Sequence, residues 1–255
     1  MFAVTLIALG TIGAIKGNFG AIWQPVPRWL PGREGLAYLC AAISLGSGIT
    51  LLMPRTAALG ARTLLACLLL WLLLFRLPVI LRGPTVEVSW EGCGETAVLA
   101  AGAWVLYALA ATDWDKQHFG HATGEQGVRI GRTIYGVAMI PFGLAHIIYV
   151  KETAALVPDW LPSPLTWAYV TGCTYLAASF AVLVGVYARL ATALSALQMG
   201  LFTLFVWVPI VATNADAFQW TETGVSWALT AAAWVVADSY VGAPWFVVGK
   251  HRRPR

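Results

Sequence analysis

Five ionisable side chains, Lys16, Arg76, Glu95, His146 and Asp238, fall inside long apolar runs. A charge in hydrocarbon costs at least about 2.5–3.5 kcal/mol, so such positions are held by a structural partner or by a function. Arg76 and Glu95 suit a guanidinium–carboxylate pair, which keeps both groups charged in low dielectric. Glu87, Glu91 and Glu95 are spaced i, i+4, i+8 and share one face if their helix starts early. That face would present carboxylates to Arg76 and Arg82. His146 is the side chain whose ordinary pKa allows proton exchange near neutrality. Each has a structural reading: an Arg–Glu stitch between helices, a hydrogen-bonded histidine, a Lys16 that snorkels outward, a solvated Asp238. The functional reading is a polar pocket built from Lys16, Arg76, Glu91, Glu95 and His146, with no catalytic residue and no metal assigned. Enzymatic activity is left open.

The apolar runs that position these groups dominate the composition. Of 255 residues 59% are hydrophobic and 11% charged, and the mean hydropathy is +0.72. Soluble domains carry roughly 25% charged residues, so a bilayer is the natural solvent. The runs are Leu/Ala-rich and do not alternate, which indicates helices rather than a barrel. A span needs about 20 apolar residues. Eight segments are expected, at about 2–22, 36–53, 60–81, 95–112, 132–150, 166–187, 189–212 and 225–247. The sixth and seventh form a hairpin turning near Arg189. Lys16 interrupts the first, which has no basic leader, so it reads as a retained span and not a signal peptide.

Charge in the short loops sets the orientation. Arg55, Arg62, Lys116, Arg129, Arg132, Arg189, Lys250, Arg252, Arg253 and Arg255 fall on one face; Arg28, Arg33, Arg82 and Lys151 fall on the other. Both termini are therefore expected on the cytoplasmic side of the membrane. On that scheme Lys16 lies about 21 Å along an outward-running helix, at 1.5 Å per residue. His146, Arg76 and Glu95 fall at similar depth in the outer leaflet.

The chain also matches itself. Val26-Pro27-Arg28-Trp29-Leu30-Pro31 recurs as Val157-Pro158-Asp159-Trp160-Leu161-Pro162, an offset of 131. The same offset pairs Tyr38 with Tyr169, Leu59 with Leu190 and Pro78 with Pro209. An offset of 130 pairs Lys16 with His146 and Trp104 with Trp234. This predicts an all-α integral membrane protein of two parallel-repeat four-helix bundles. Residues 1–112 form the first, 113–128 a polar cytoplasmic linker, 129–249 the second and 250–255 a basic cytoplasmic tail suited to anionic lipid. Arg76 aligns with Trp207 and Glu95 with Val225, so the charges belong to one half.

The remaining motifs are quieter. Cys40, Cys67, Cys93 and Cys173 form no C-x-x-C, and in apolar runs a thiol behaves as a small hydrophobe. His118 and His121 belong to the polar linker. The recurrent Val-Pro-x-Trp-Leu-Pro stiffens a loop at headgroup level through proline and interfacial Trp. The dispersed basic residues give no nucleic-acid signal.

Arg132, Gly136, Phe142-Gly143, His146, the Val-Pro-Asp-Trp-Leu-Pro loop and Tyr169-Val170-Thr171-Gly172 resemble the DoxX-like family of four-helix bacterial membrane proteins. The first half keeps Gly13 and Lys16 but has Ala41 where the second has Gly172. The family is named for a subunit of a quinone-linked thiosulfate oxidoreductase. The resemblance implies a redox-associated or quinone/amphiphile-binding membrane subunit, with a quinone as ligand and a redox or other membrane protein as partner. A small-molecule transporter and a non-catalytic scaffold of a membrane complex are the alternatives.

Overall fold

The computed structural model describes residues 1–247, so the basic tail expected at 250–255 lies outside the described residues. Among these the helices are α1 (Phe2–Lys16), α2 (Arg33–Leu51), α3 (Ala57–Arg82), α4 (Glu87–Ala110), α5 (Asp113–Phe119), α6 (Gly124–Ile148), α7 (Val150–Ala155), α8 (Pro164–Val184), α9 (Ala188–Thr213) and α10 (Ala217–Asp238). Six of them, α2, α3, α4, α6, α8 and α9, are long and apolar enough to cross a membrane. The chain is a multi-pass membrane protein. Leu73, Leu74, Phe180, Leu204 and Phe205 lie exposed on its helices, as lipid-facing side chains do. α1 is apolar but has only 15 residues. α10 has 22 residues, but Gln219, Thr221, Glu222 and Thr223 make its first turns polar.

Consecutive helices pack in order: α1 on α2, α2 on α3 and α3 on α4, then α6 on α8, α8 on α9 and α9 on α10. The halves interlock through α4 and α10. α6 packs on α4, α1 packs on α10, and α4 crosses α10. Small residues permit these approaches, as they do wherever helices associate in lipid. A Cβ on Gly131 would stand 3.0 Å from Ala101 O, and one on Gly94 3.1 Å from Ala138 O. Gly13 meets the Ala41 side chain on α2 at 3.3 Å, and Gly143 meets Gly172 O on α8 at 2.8 Å. These two crossings stand at the spacing of the sequence match.

α3 and α9 each contain one π-helical turn, Leu72–Arg76 and Thr203–Trp207. The cause is in the sequence. Pro78 and Pro209 lack an N–H and would press on the carbonyls of Leu74 and Phe205, and a widened turn absorbs the clash. Each turn is tied to the fourth helix of its half. Arg76 Nε donates to Thr96 Oγ1 at 3.0 Å, and Thr203 Oγ1 lies 2.7 Å from Ser226 Oγ.

Several expected boundaries move: α1 ends at Lys16 instead of 22, and α10 covers Ala217–Asp238 instead of 225–247. α4 starts at Glu87 instead of 95, so Glu87, Glu91 and Glu95 do share one helix. The linker 113–128 is largely helical, because Thr112 and Asp115 form a reciprocal cap that starts α5. Asp115 is only 1% exposed. Its Oδ1 accepts from Arg62 Nη1 of α3 at 2.9 Å and from the Tyr107 hydroxyl of α4 at 3.1 Å. Its Oδ2 accepts from the Thr112 hydroxyl and N–H at 2.6 and 2.9 Å. Burial opposes ionisation, but the bonds from Thr112 and Tyr107 and the Arg62 charge outweigh it and hold this carboxyl below its usual range.

Asp115 therefore staples three helices at the end of the bundle that carries Arg62. Asp115→Asn is expected to cost about 1–2 kcal/mol, since it weakens the charge-assisted bonds to a buried carboxylate while Arg62 keeps access to solvent. Because folding lowers this pKa, the stabilisation is complete above the ordinary carboxylate value of about 3.9 and is lost as pH falls through the lower folded value. Thermal unfolding in detergent between pH 5 and 2, a range set by these limits, should show a steeper acid loss for the wild type than for Asp115→Asn.

Candidate functional site

Two polar regions emerge, in different halves. The first surrounds Arg76 at the end of α3. Its guanidinium donates from Nε to Thr96 Oγ1, and from Nη2 to Gln24 O at 2.6 Å. Nη2 also stands 3.6 Å from Glu95 Oε2, a charge contact longer than a hydrogen bond. The Arg76 side chain is 11% exposed and that of Glu95 25%. Gly92 makes room for it, since a Cβ there would meet Arg76 Nη1 at 2.6 Å. Glu91 lies within electrostatic reach of Glu87, Glu95 and Glu222 of α10. The carboxylate oxygens of Glu87 are buried with no hydrogen-bond partner. Arg82 is exposed and pairs with none of these acids among the described residues. The set is thus one guanidinium tying α3, α4 and the loop at Gln24 together, with acidic groups in excess around it.

The second region is a groove of about 850 Å³ along α8 and α9, closed at one end by α7 and the loop that follows it. Its walls are mostly apolar and aromatic, including Trp160, Phe180, Leu194, Leu201 and Phe205. His146, from the last turn of α6, stands at the Trp160 end. Gly172 makes room for it, because a Cβ there would lie 3.0 Å from His146 Cβ. His146 Nδ1 is 2.8 Å from Phe142 O, and the ring sits edge-on to Tyr175 and Phe202 at 5.4 and 6.4 Å between centroids. Further along, Thr174 Oγ1 donates to Gln198 Oε1 at 2.6 Å, and Gln198 Nε2 donates to Thr171 O at 3.1 Å.

Residues 127–209 match the family model described as DoxX. This segment is similar to a DoxX domain. No curated protein and no solved structure matches the chain. The DoxX segment holds α6, α8 and most of α9, and hence His146 and most of the groove, whereas Arg76, Glu91 and Glu95 lie outside it.

The five residues singled out by charge are therefore not one cluster. The structure brings Arg76, Glu95 and Glu91 together and adds Glu222. His146 faces the DoxX groove on the α8 side of α6. Lys16 is exposed at the end of α1, with no hydrogen bond or ion pair among the described residues. Asp238 is exposed at the end of α10. Attention to charge alone misses Gln198 and Thr174. The signal was an uncharged amide in the middle of an apolar run, costly in lipid unless bonded.

The first half shows what closes such a groove. The residues aligned with Tyr175 and Phe202 are Ser44 and Trp71. Trp23 fills the corner between them: it is 1% exposed, its Nε1 donates to Ser44 Oγ at 2.8 Å, and its ring meets Trp71 at 5.1 Å. Phe19, Ile22 and Val26 of the same loop are also buried. α7, which occupies the corresponding place in the second half, buries no residue at all.

Arg76→Met is expected to lower stability by about 3–5 kcal/mol, because it leaves Glu95 without its counter-charge in a low-dielectric setting. Lys16→Met should change it by less than about 0.5 kcal/mol, as for surface positions. Thermal unfolding of both variants in one detergent separates a stitch from an exposed charge.

Proposed function

We propose that this DoxX-like protein is a membrane subunit that binds an amphiphile of quinone size, taken laterally from the bilayer into the α8–α9 groove. The observation that carries this reading is the groove itself. It has apolar walls long enough for a tail and a small number of polar groups, His146 at one end and the Thr174–Gln198 pair along it, as small-molecule sites have. A bound quinone or its hydroquinone would be a ligand of the chain rather than a built-in cofactor, exchanging electrons with a redox partner protein. Arg76, Glu91 and Glu95 would anchor the other half and offer a polar surface to that partner. Lys16 would hold the end of α1 at the headgroups.

The wider architecture belongs to the same proposal: eight spans, with α1 and α10 joining the six long ones, in two tandem four-helix units. Support comes from the paired π turns, the paired Gly13/Ala41 and Gly143/Gly172 crossings, and the contact of Gly102 with Ala232, positions 130 apart in the sequence. Cytoplasmic termini follow from loop charge, and the bacterial inner membrane from the family resemblance. The transporter reading gains less support. Between Arg76 and the Arg62 end, α3 and α4 bury Leu64, Leu68, Trp71, Val98, Leu99 and Val105, which leaves the charged set facing an apolar wall.

Purification of the full chain in native nanodiscs, followed by native mass spectrometry and organic extraction, tests the proposal. One retained amphiphile per chain is expected, with occupancy reduced about tenfold, or about 1.4 kcal/mol, by Gln198→Leu. Only phospholipid in the proportions of the surrounding bilayer, unchanged by that substitution, would reject it.

A further inference from the structure

His146 carries information about the head group that the groove accepts, and the argument here rests on the groove reading above. Its Nδ1 lies 2.8 Å from the Phe142 carbonyl oxygen. A carbonyl oxygen can only accept, so Nδ1 holds the proton. In the neutral ring Nε2 is then the lone-pair nitrogen and acts as an acceptor. Nε2 has no hydrogen-bond partner among the described residues, and His146 lines the groove. Gln198 and Thr174 are already engaged with each other: the Thr174 hydroxyl proton is shared between Gln198 Oε1 and Thr171 O, and Gln198 Nε2 donates to Thr171 O. The imidazole packs among rings, T-shaped to Tyr175 and Phe202 at 5.4 and 6.4 Å between centroids, and Phe205 of the same groove packs against Trp160 at 5.6 Å. Such walls favour a flat, polarisable head over a bulky charged one.

We infer that the groove selects an amphiphile whose head is a hydroxylated aromatic ring, a long-chain phenol or hydroquinone, with its O–H donating to His146 Nε2 and its tail along α8 and α9. A head that carries only acceptors, such as a quinone carbonyl, an ester or an aryl ether, would set lone pair against lone pair. It would also bury Nε2 without a partner, the circumstance in which a polar site discriminates most strongly. Trp23 closes the corresponding corner of the first half, so one such ligand per chain is expected.

The test uses the full chain in nanodiscs and two probes of nearly equal size, para-dodecylphenol and its methyl ether para-dodecylanisole, with binding read by native mass spectrometry over a titration. The phenol should bind at least about tenfold more tightly than the ether, and on His146→Phe, which keeps the ring, the ratio should fall to near one. Equal affinity of the two probes for the wild type overturns the inference while leaving an amphiphile groove in place. Binding of neither probe, with only bulk phospholipid retained, overturns the inference and the groove reading together. The wild-type ratio decides the matter even if the variant does not fold.

Discussion

Gly102 on α4 faces Ala232 on α10 so closely that a methyl group added to the glycine would stand 3.0 Å from Ala232 Cβ and 3.1 Å from its Cα. In lipid there is little hydrophobic gain from bringing helices together, so association relies on close packing of small residues. The stretches around this contact are of that kind: Ala100, Ala101 and Ala103 on one side and Ala231, Ala232 and Ala233 on the other are all buried. Because the two fourth helices meet here, each first helix finds its neighbour in the opposite half, α6 on α4 and α1 on α10. The N-terminal and C-terminal helices are therefore woven together.

Around that crossing the same framework serves two purposes. Both π turns must be secured to the fourth helix, since a widened turn leaves backbone groups poorly bonded. One half does this with a guanidinium on Thr96, the other with hydroxyls, Thr203 on Ser226. The charged solution brings Glu95 with it, and the neutral solution leaves Trp207 buried where Arg76 would stand. The loop after the first helix divides the halves further. Arg33 bonds to the carbonyls of Val26 and Pro27 and lies over Phe19 at 5.1 Å, holding Trp23 inward. The DoxX half has α7 instead and keeps its groove open.

Residue counting gave Lys16, Arg76, Glu95 and His146 one expected depth in the membrane. Depth is a single coordinate, however, and rotation about each helix axis supplies the other. His146 and Phe142 are one turn apart, yet Phe142 contacts Gly94 of α4 while His146 lies against Gly172 of α8. The pairing of Arg76 with Glu95 could be expected because a charged fork in lipid has few tolerable states. The pairing of Gln198 with Thr174 had a weaker signal, because an amide in an apolar run calls for a partner without saying which residue supplies it.

The sequence by itself determined that this chain is helical, membrane-embedded and internally similar, because 20-residue-scale apolar runs admit no other backbone solution in lipid. These are local consequences, fixed by residues close in the chain. Which half is open, which acids join Arg76 and which atom of His146 faces the groove were decided only in three dimensions. They depend on Ala41 against Gly172, on the inward turn of Trp23 and on the crossing of α4 with α10. Each brings together segments far apart in sequence, and no pattern within a single helix specifies which face meets which.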